Sequence, residues 1–213
     1  MITSAEQLAP ILEESERLAA ALLELLDELE LVNDSNRVAT AYAACSLSLE
    51  HWSSVRSLLA EAALSSAIVV HRAQFEAAAR SVWLTYAATD ENVAKFSQEL
   101  SIDSEQAAKN APQVDRMMDQ IAQKAPKPAC EALQRFKSNS WRALNSYAHA
   151  GIHPLRRHQA GYPVALVHNV LCNSNGLGVL SCMQAVVLGG EQPLQQHLLD
   201  LAGRHPQCMP PPL

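Results

Sequence analysis

The chain has 213 residues, which suits one domain, and its 48% hydrophobic and 18% charged residues can form a core rather than a disordered segment. Ala and Leu are abundant and aromatic residues make up only 5%, a balance that favours helices over sheets. The net charge is −6, and residues 1–50 hold ten acidic against two basic side chains, which argues against a protein that attracts nucleic acid over its whole surface. The charge count does not exclude a local cationic cleft.

Apolar residues recur at spacings of three and four along the whole chain, which predicts successive amphipathic helices. In chain order the predicted helices cover residues 3–32, 36–51, 53–88, 90–100, 103 onward, 112–124, 128–150, 163–188 and 191–202. A break is expected near Ser65 within the third, and Gly151 and Pro154 end the helix that precedes them. No strand-like alternation of useful length occurs. The sequence therefore predicts an all-α fold, a helical bundle of about six to eight helices.

The predicted helices are grouped into one domain with a short tail. Residues 1–203 are expected to form a single all-α domain, in which residues 1–50 make an acidic helical hairpin that packs on a bundle of residues 51–203. Residues 204–213 are rich in proline and are expected to form a flexible tail.

Several features indicate a soluble, cytoplasmic protein. The longest apolar stretch, residues 163–188, contains His168, Asn169 and Asn173, which are costly to bury in lipid, so no membrane span is predicted. No basic segment precedes an apolar run at the N-terminus, so no signal peptide is expected. The five cysteines are odd in number and contain no C-x-x-C pair, which suits a reducing compartment better than a disulfide framework.

The first candidate site is a charged row on the third helix. Arg72, Glu76 and Arg80 are four residues apart, so they lie on one side of the helix among apolar neighbours. One interpretation is a structural ladder of ion pairs. The other is an arginine-lined cleft for an anion, because the forked donors of a guanidinium suit carboxylates and phosphates.

The second candidate site is a polar stripe near the end of the helix over residues 128–150. Arg142 and His149 lie about 20° apart around the helix axis, with Asn145 close to the line between them. Such a group could move a proton with His149, stabilise an anion with Arg142 and orient a substrate with Asn145. The alternative is a hydrogen-bonded histidine at a helix C-terminus.

The residues that follow offer histidine and arginine but no complete metal site. His149 and His153 are four apart, yet Gly151 makes a continuous helix between them doubtful, and no metal or other cofactor is expected. Arg156 and Arg157 form the densest basic cluster and could bind a ligand or RNA or belong to a solvated loop. Phosphate-binding, dinucleotide-binding and G-x-S-x-G signatures are absent from the sequence.

Three segments together resemble a known group of proteins: residues 65–84, residues 144–151 and the pair Arg156–Arg157. They are similar to uncharacterised bacterial helical proteins related to the HEPN superfamily. The resemblance implies a HEPN-like bundle that forms a homodimer. Many HEPN proteins are metal-independent ribonucleases of toxin–antitoxin or phage-defence systems, with an Arg-x(4–6)-His motif at the dimer cleft. Arg142 and His149 match that motif, which implies that His149 moves a proton and Arg142 stabilises the phosphorane.

Three functions are carried forward. A ribonuclease predicts that Arg142 and His149 are exposed beside a cleft. A non-catalytic module that binds RNA or a cognate antitoxin predicts that His149 is buried against a structural partner such as Glu76. A bundle that binds a small anionic ligand predicts an apolar cavity ringed by Arg72 and Arg80.

Overall fold

Ten α-helices and a short 3-10 turn build the part of the chain that the computed structural model describes, residues 8–211. The helices are α1 (Ala9–Glu24), α2 (Asn36–Ala60), α3 (Leu64–Tyr86), α4 (Asp90–Ser97), α5 (Ile102–Lys109), α6 (Val114–Lys124), α7 (Lys127–Ala148), α8 (Ile152–Ala160), α9 (Val164–Gly189) and α10 (Gln192–Gly203), and the 3-10 turn is Pro206–Cys208. No strand occurs within these residues, and the predicted all-α fold is confirmed. The predicted start of the first helix at Thr3 or Ser4 and the last two residues of the tail lie outside this range.

Helix boundaries differ from the predicted ones between α2 and α3. A new helix was expected from residue 53, but the Ser54 hydroxyl donates to the carbonyl of Glu50 inside the uninterrupted α2. The chain turns instead at Ala62, whose φ of 57° is left-handed. The predicted start of α2 at residue 36 is confirmed, because Ser35 caps this helix by accepting a hydrogen bond from the amide of Val38.

The ten helices exceed the six to eight expected, partly because α8 forms where a loop was expected. α7 ends at Ala148, and Gly151 lies at the N-cap position of α8. The hydroxyl of Ser146 accepts a hydrogen bond from the amide of His153 at 3.1 Å. Pro154 lies in the first turn of α8, where a missing N–H costs nothing because that group has no partner inside the helix.

The helices over residues 1–50 do not form the separate hairpin that the charge pattern suggested. α2 packs along α3 and against α9, so it is part of the central bundle, whereas α1 packs mainly on α9 and α10. The helical pattern of α2 and its buried face continue past residue 50 to Trp52 and Leu59, which bind this helix into the core.

Asn175 in α9 joins four parts of the core. Its side-chain oxygen accepts hydrogen bonds from the Trp52 indole at 2.9 Å and the Ser15 hydroxyl at 2.8 Å. Its amide nitrogen donates to the carbonyl of Cys208 at 2.8 Å. One fully buried amide thus connects α1, α2, α9 and the C-terminal segment, because a buried polar group needs a partner for each donor and acceptor.

The C-terminal segment is held by these contacts rather than extended into solvent. Cys208 is fully buried, and His205 lies 2.6 Å from the carboxylate of Glu14 in α1. The described part of the predicted flexible tail, residues 204–211, therefore packs on the bundle.

α9 is the one helix in residues 8–211 that is long and apolar enough to cross a membrane, and 67% of its most apolar window is buried inside the protein. Such burial is expected of the core helix of a soluble protein. The described cysteines are all free, and burial raises the pKa of the Cys45 thiol to about 12.

Candidate functional site

Arg72 connects α3 to α7 in a compact polar cluster. Its guanidinium lies 2.8 Å from the carboxylate of Glu76, donates to the side-chain oxygen of Asn145 at 3.0 Å and stacks over the Trp141 ring at 5.0 Å. Both charged side chains are only partly exposed, so the pair is better shielded from water than a surface ion pair. Arg72 thus has much of its donor capacity occupied by residues of its own chain.

Arg80 does not continue this cluster. Its guanidinium stacks at 4.7 Å on Phe96 of α4, and its buried Nη1 has no hydrogen-bond partner among the described residues. Burial lowers the pKa of the Arg80 guanidinium, and the nearby charge of Glu76 opposes that effect. Neither Arg72 nor Arg80 lines the cavities described below, so they do not form the arginine ring that the third hypothesis expected there.

Arg142 and His149 are both exposed on α7. Their separation of seven positions corresponds to about 10 Å along the helix axis, so the long arginine side chain can approach a group bound near the imidazole. Within residues 8–211 neither side chain has a hydrogen-bond or ion-pair partner, and His149 is not held by Glu76. Arg142 lines a shallow pocket of about 310 Å³ between α7 and α6.

Asn145 does not belong to the stripe that helix geometry suggested. Its side-chain oxygen is taken by Arg72, which turns the amide toward α3. The structure therefore places Arg142 and His149 on the open side of α7 and assigns Asn145 to the cluster with Arg72. A helical pattern alone could not show this, because Arg72 is distant in sequence.

His149 and His153 are not on one helix. His149 is the C-cap residue of α7, and Ala150 adopts a left-handed φ of 49° before Gly151 and α8 follow. The spacing of four therefore does not place the two imidazoles on one face of a helix. No group of three or more His, Cys, Asp or Glu side chains arranged for a metal occurs in residues 8–211.

The basic side chains that follow His153 lie on α8 rather than in a loop. Arg156 is exposed and Arg157 is partly buried, and α8 packs against α7. The two helices therefore present His149, His153 and Arg156 at the same end of the bundle.

A charge pattern that the sequence analysis missed covers this region. Residues 132–190 contain no Asp or Glu, while they contain five Lys or Arg residues and four histidines. In the net charge of a longer segment this basic stretch does not appear, because the acidic residues of 51–131 cancel its positive charge. Lys137 pairs with Asp115 of α6 at 2.6 Å, whereas Arg135 has no ion-pair partner among the described residues.

Comparison with known proteins gives one match. No curated protein and no solved structure matches the chain. No comparison links the chain to the HEPN superfamily or to toxin–antitoxin systems. A family model matches residues 45–211, which include α3, α6 to α10 and every candidate residue above. The chain therefore belongs to a family of unknown function, DUF6988.

Proposed function

We propose that this protein is a cytoplasmic, HEPN-like RNA-binding protein that uses Arg142 and His149 to cleave RNA without a metal ion. One observation carries the proposal: both side chains are exposed on the same open side of α7, and neither has a partner among the described residues. Their exposure leaves both side chains free to contact a bound phosphate and a ribose hydroxyl.

The charge of the surrounding surface supports a polyanionic substrate. The C-terminal part of α7 and the whole of α8 carry Arg142, Arg156 and Arg157 without a carboxylate of their own. Guanidinium groups bind phosphate through paired hydrogen bonds, and a row of them follows a nucleic acid backbone. The acidic N-terminal helix α1 packs on α9 and α10, away from this surface, so it does not oppose the approach of RNA.

The proposed reaction is an internal transesterification. His149 takes the proton of a ribose 2′-hydroxyl, the 2′-oxygen attacks the adjacent phosphorus, and the bond from phosphorus to the 5′-oxygen breaks. Arg142 stabilises the negative charge that develops on the phosphorane oxygens. The 5′-oxygen takes up a proton, which leaves a 2′,3′-cyclic phosphate and a free 5′-hydroxyl.

A homodimer would supply the second proton-transfer group. The Arg142–His149 motif of one chain supplies one histidine, while the reaction uses a base for the 2′-hydroxyl and an acid for the 5′-oxygen. Ile152 and Leu155 of α8 are 69% and 59% exposed next to this surface, and a second copy packed over them would bury both. Such pairing would bring His149 of the partner subunit to the same strand.

A non-catalytic module that binds RNA or a cognate antitoxin is the second candidate. Arg142 and His149 do not contact each other within one chain, and this separation favours the non-catalytic module. The same surface would then hold a strand through phosphate contacts without the reaction.

Incubation of the full-length protein with end-labelled single-stranded RNA in EDTA tests the proposal. Wild type is expected to form cyclic-phosphate products, and H149A is expected to lose about 10²–10⁴-fold in rate, as for removal of a general acid–base group. R142Q removes the charge while keeping a polar side chain and is expected to lose a similar factor.

Matched controls are H197A on α10 and R204Q at its C-cap, which replace exposed residues of the same types. Both should cleave RNA like wild type. RNA binding without cleavage, weakened in R142Q, would support the non-catalytic module instead. Absence of both binding and cleavage would overturn the proposed function.

A further inference from the structure

A groove between α7 and α9 contains two adjoining cavities that the proposed function does not use. The larger has a volume of about 400 Å³ and has α3 at its base, and the smaller has about 190 Å³. The side chains that line both are Arg135, Asn139, Asn173 and Pro211. The larger cavity alone lies in the size range of sites that bind small organic molecules.

His71 of α3 lines the larger cavity, and one of its two ring nitrogens has no hydrogen-bond partner. The side-chain nitrogen of Gln74 donates to the carbonyl of Ser174, so the Gln74 side-chain oxygen must be the acceptor that faces His71 Nδ1 at 3.1 Å. Nδ1 therefore carries the proton. Nε2 is left as a bare acceptor, and it is buried without a partner.

Several features keep this imidazole neutral and in place. His71 is 1% exposed, and burial lowers its pKa to about 4. Its ring packs edge-on against Phe136 of α7 with centroids 4.9 Å apart. An unpaired buried acceptor is unfavourable, so a hydrogen-bond donor from outside the chain would stabilise this neutral ring.

Other side chains that line the larger cavity provide a cation and amide groups for a ligand. Arg135 provides a cation without an ion-pair partner among the described residues, and Asn139 and Asn173 provide amides that both donate and accept. The whole of α9 and the part of α7 from residue 132 onward lack carboxylates, so nothing on these two helices there repels an anion. Tyr147 also lines the cavity, and its hydroxyl is buried beside that of Tyr162.

We propose that this groove binds a small organic carboxylate that has an apolar body and an N–H or O–H group. The carboxylate pairs with Arg135, the N–H or O–H donates to Nε2 of His71, and the apolar body lies along the smaller cavity against Phe136 and Leu177. A nucleic acid strand does not fit this role, because a side chain that is 1% exposed is reached only by a molecule that enters the cavity.

The groove is separate from the proposed RNA surface. Arg135, Asn139 and Ala143 line it at spacings of four, whereas Arg142 shares a different pocket with Gln134 and Ser138. The centres of these two rows lie about 100° apart around α7, although Arg135 itself lies only about 20° from Arg142. His71 lines the groove and Arg142 does not, so carboxylate binding followed at His71 and RNA cleavage followed with R142Q are measured at different residues.

Titration of full-length protein with three related probes tests the proposal. Indole-3-acetate carries a carboxylate, one N–H and an apolar ring system, 1-methylindole-3-acetate lacks the N–H, and 3-methylindole lacks the carboxylate. Binding is followed by NMR of protein with 13C-labelled histidine rings, in which the His71 ring signal is assigned by comparison with H71F. Indole-3-acetate should shift the His71 signal saturably, and each of the other two should bind about tenfold more weakly, as for loss of one buried hydrogen bond or ion pair.

Variants locate the contacts. R135Q is expected to weaken indole-3-acetate about tenfold, while K127Q, an exposed position two turns earlier on α7, should leave binding unchanged. In H71F the two indole acetates should bind equally, because the acceptor that distinguishes them is gone. If H71F does not fold, the comparison of probes on wild type decides the question by itself.

Two results would overturn the proposal. One is the absence of a saturable shift of the His71 signal with indole-3-acetate at millimolar concentration. The other is binding that is equal for all three probes or unaffected by R135Q, since it would not use the groups described above.

Discussion

Acidification tests the environment that the fold imposes on His71. In the folded protein burial lowers the pKa of this imidazole to about 4, whereas the ordinary value of 6.5 applies once the chain unfolds. Between these two values the unfolded chain binds the proton and the folded chain does not. The free energy of unfolding therefore falls as the pH decreases from 6.5 toward 4. Above pH 6.5 His71 is neutral in both states, and the full stability is present.

The expected magnitude follows from the two pKa values. At about 1.4 kcal/mol for each pKa unit, the difference corresponds to a loss of about 3 kcal/mol in the free energy of unfolding between pH 7 and pH 4. The hydrogen bond to Gln74 raises the pKa of His71 but is outweighed by burial. Phe136 is neutral, and burial raises the pKa of Tyr147 so that it stays uncharged.

The measurement compares wild type with H71F by urea unfolding at both pH values, followed by circular dichroism. Phenylalanine keeps the aromatic contact with Phe136 and removes the titrating group, and the hydroxyl of Ser174 still donates to the Gln74 oxygen. All other titrations occur in both proteins, including that of Glu14, whose pKa is lowered by hydrogen bonds from Arg17 and His205. Equal losses of stability in wild type and H71F would refute the reasoning, as would a His71 titration near its ordinary pKa.

Three further predictions concern packing in the core. G178A places a methyl group against the buried tryptophan ring of α2 and should destabilise the protein by about 1–3 kcal/mol in urea unfolding, whereas G203A, which meets open space, should not. With Ellman's reagent only Cys130 should react in the folded protein, because the other four thiols are buried; rapid reaction of all five would contradict this. Deletion of residues 205–213 leaves the amide of Asn175 without its acceptor and should lower the melting temperature, and an unchanged value would show that this segment does not anchor the bundle.

The charged row on α3 shows how far residue spacing can predict a site. Arg72 and Glu76 are four apart on one helix and do form an ion pair, because that spacing makes them neighbours whatever surrounds them. Arg80 has the same spacing from Glu76, yet its guanidinium packs on Phe96 of α4 instead. Helix geometry predicts which side chains can meet, while the neighbouring helix decides which of them do.

For the polar stripe on α7, too, helix geometry predicted one part and a neighbouring helix decided the other. The angular positions of Arg142 and His149 follow from the helix alone, and both are exposed on one side as the spacing predicted. Asn145 was predicted to join them, but Arg72 from α3 takes its side-chain oxygen. The chemistry of those two residues stays a prediction, since their reactivity depends on a substrate and on a second copy of the chain.

The sequence by itself determined that this protein is all-α and where α2 begins, and the polar residues scattered along α9 predicted a core helix. These properties depend on short-range periodicity, capping side chains and scattered polar residues, which any local stretch of chain already contains. Only the tertiary structure decided the groove between α7 and α9, the buried acceptor of His71 and the anchoring of the C-terminal segment by Asn175. Each of these requires helices that are far apart in sequence to pack together, because a cavity and the desolvation of a side chain are properties of the assembled core.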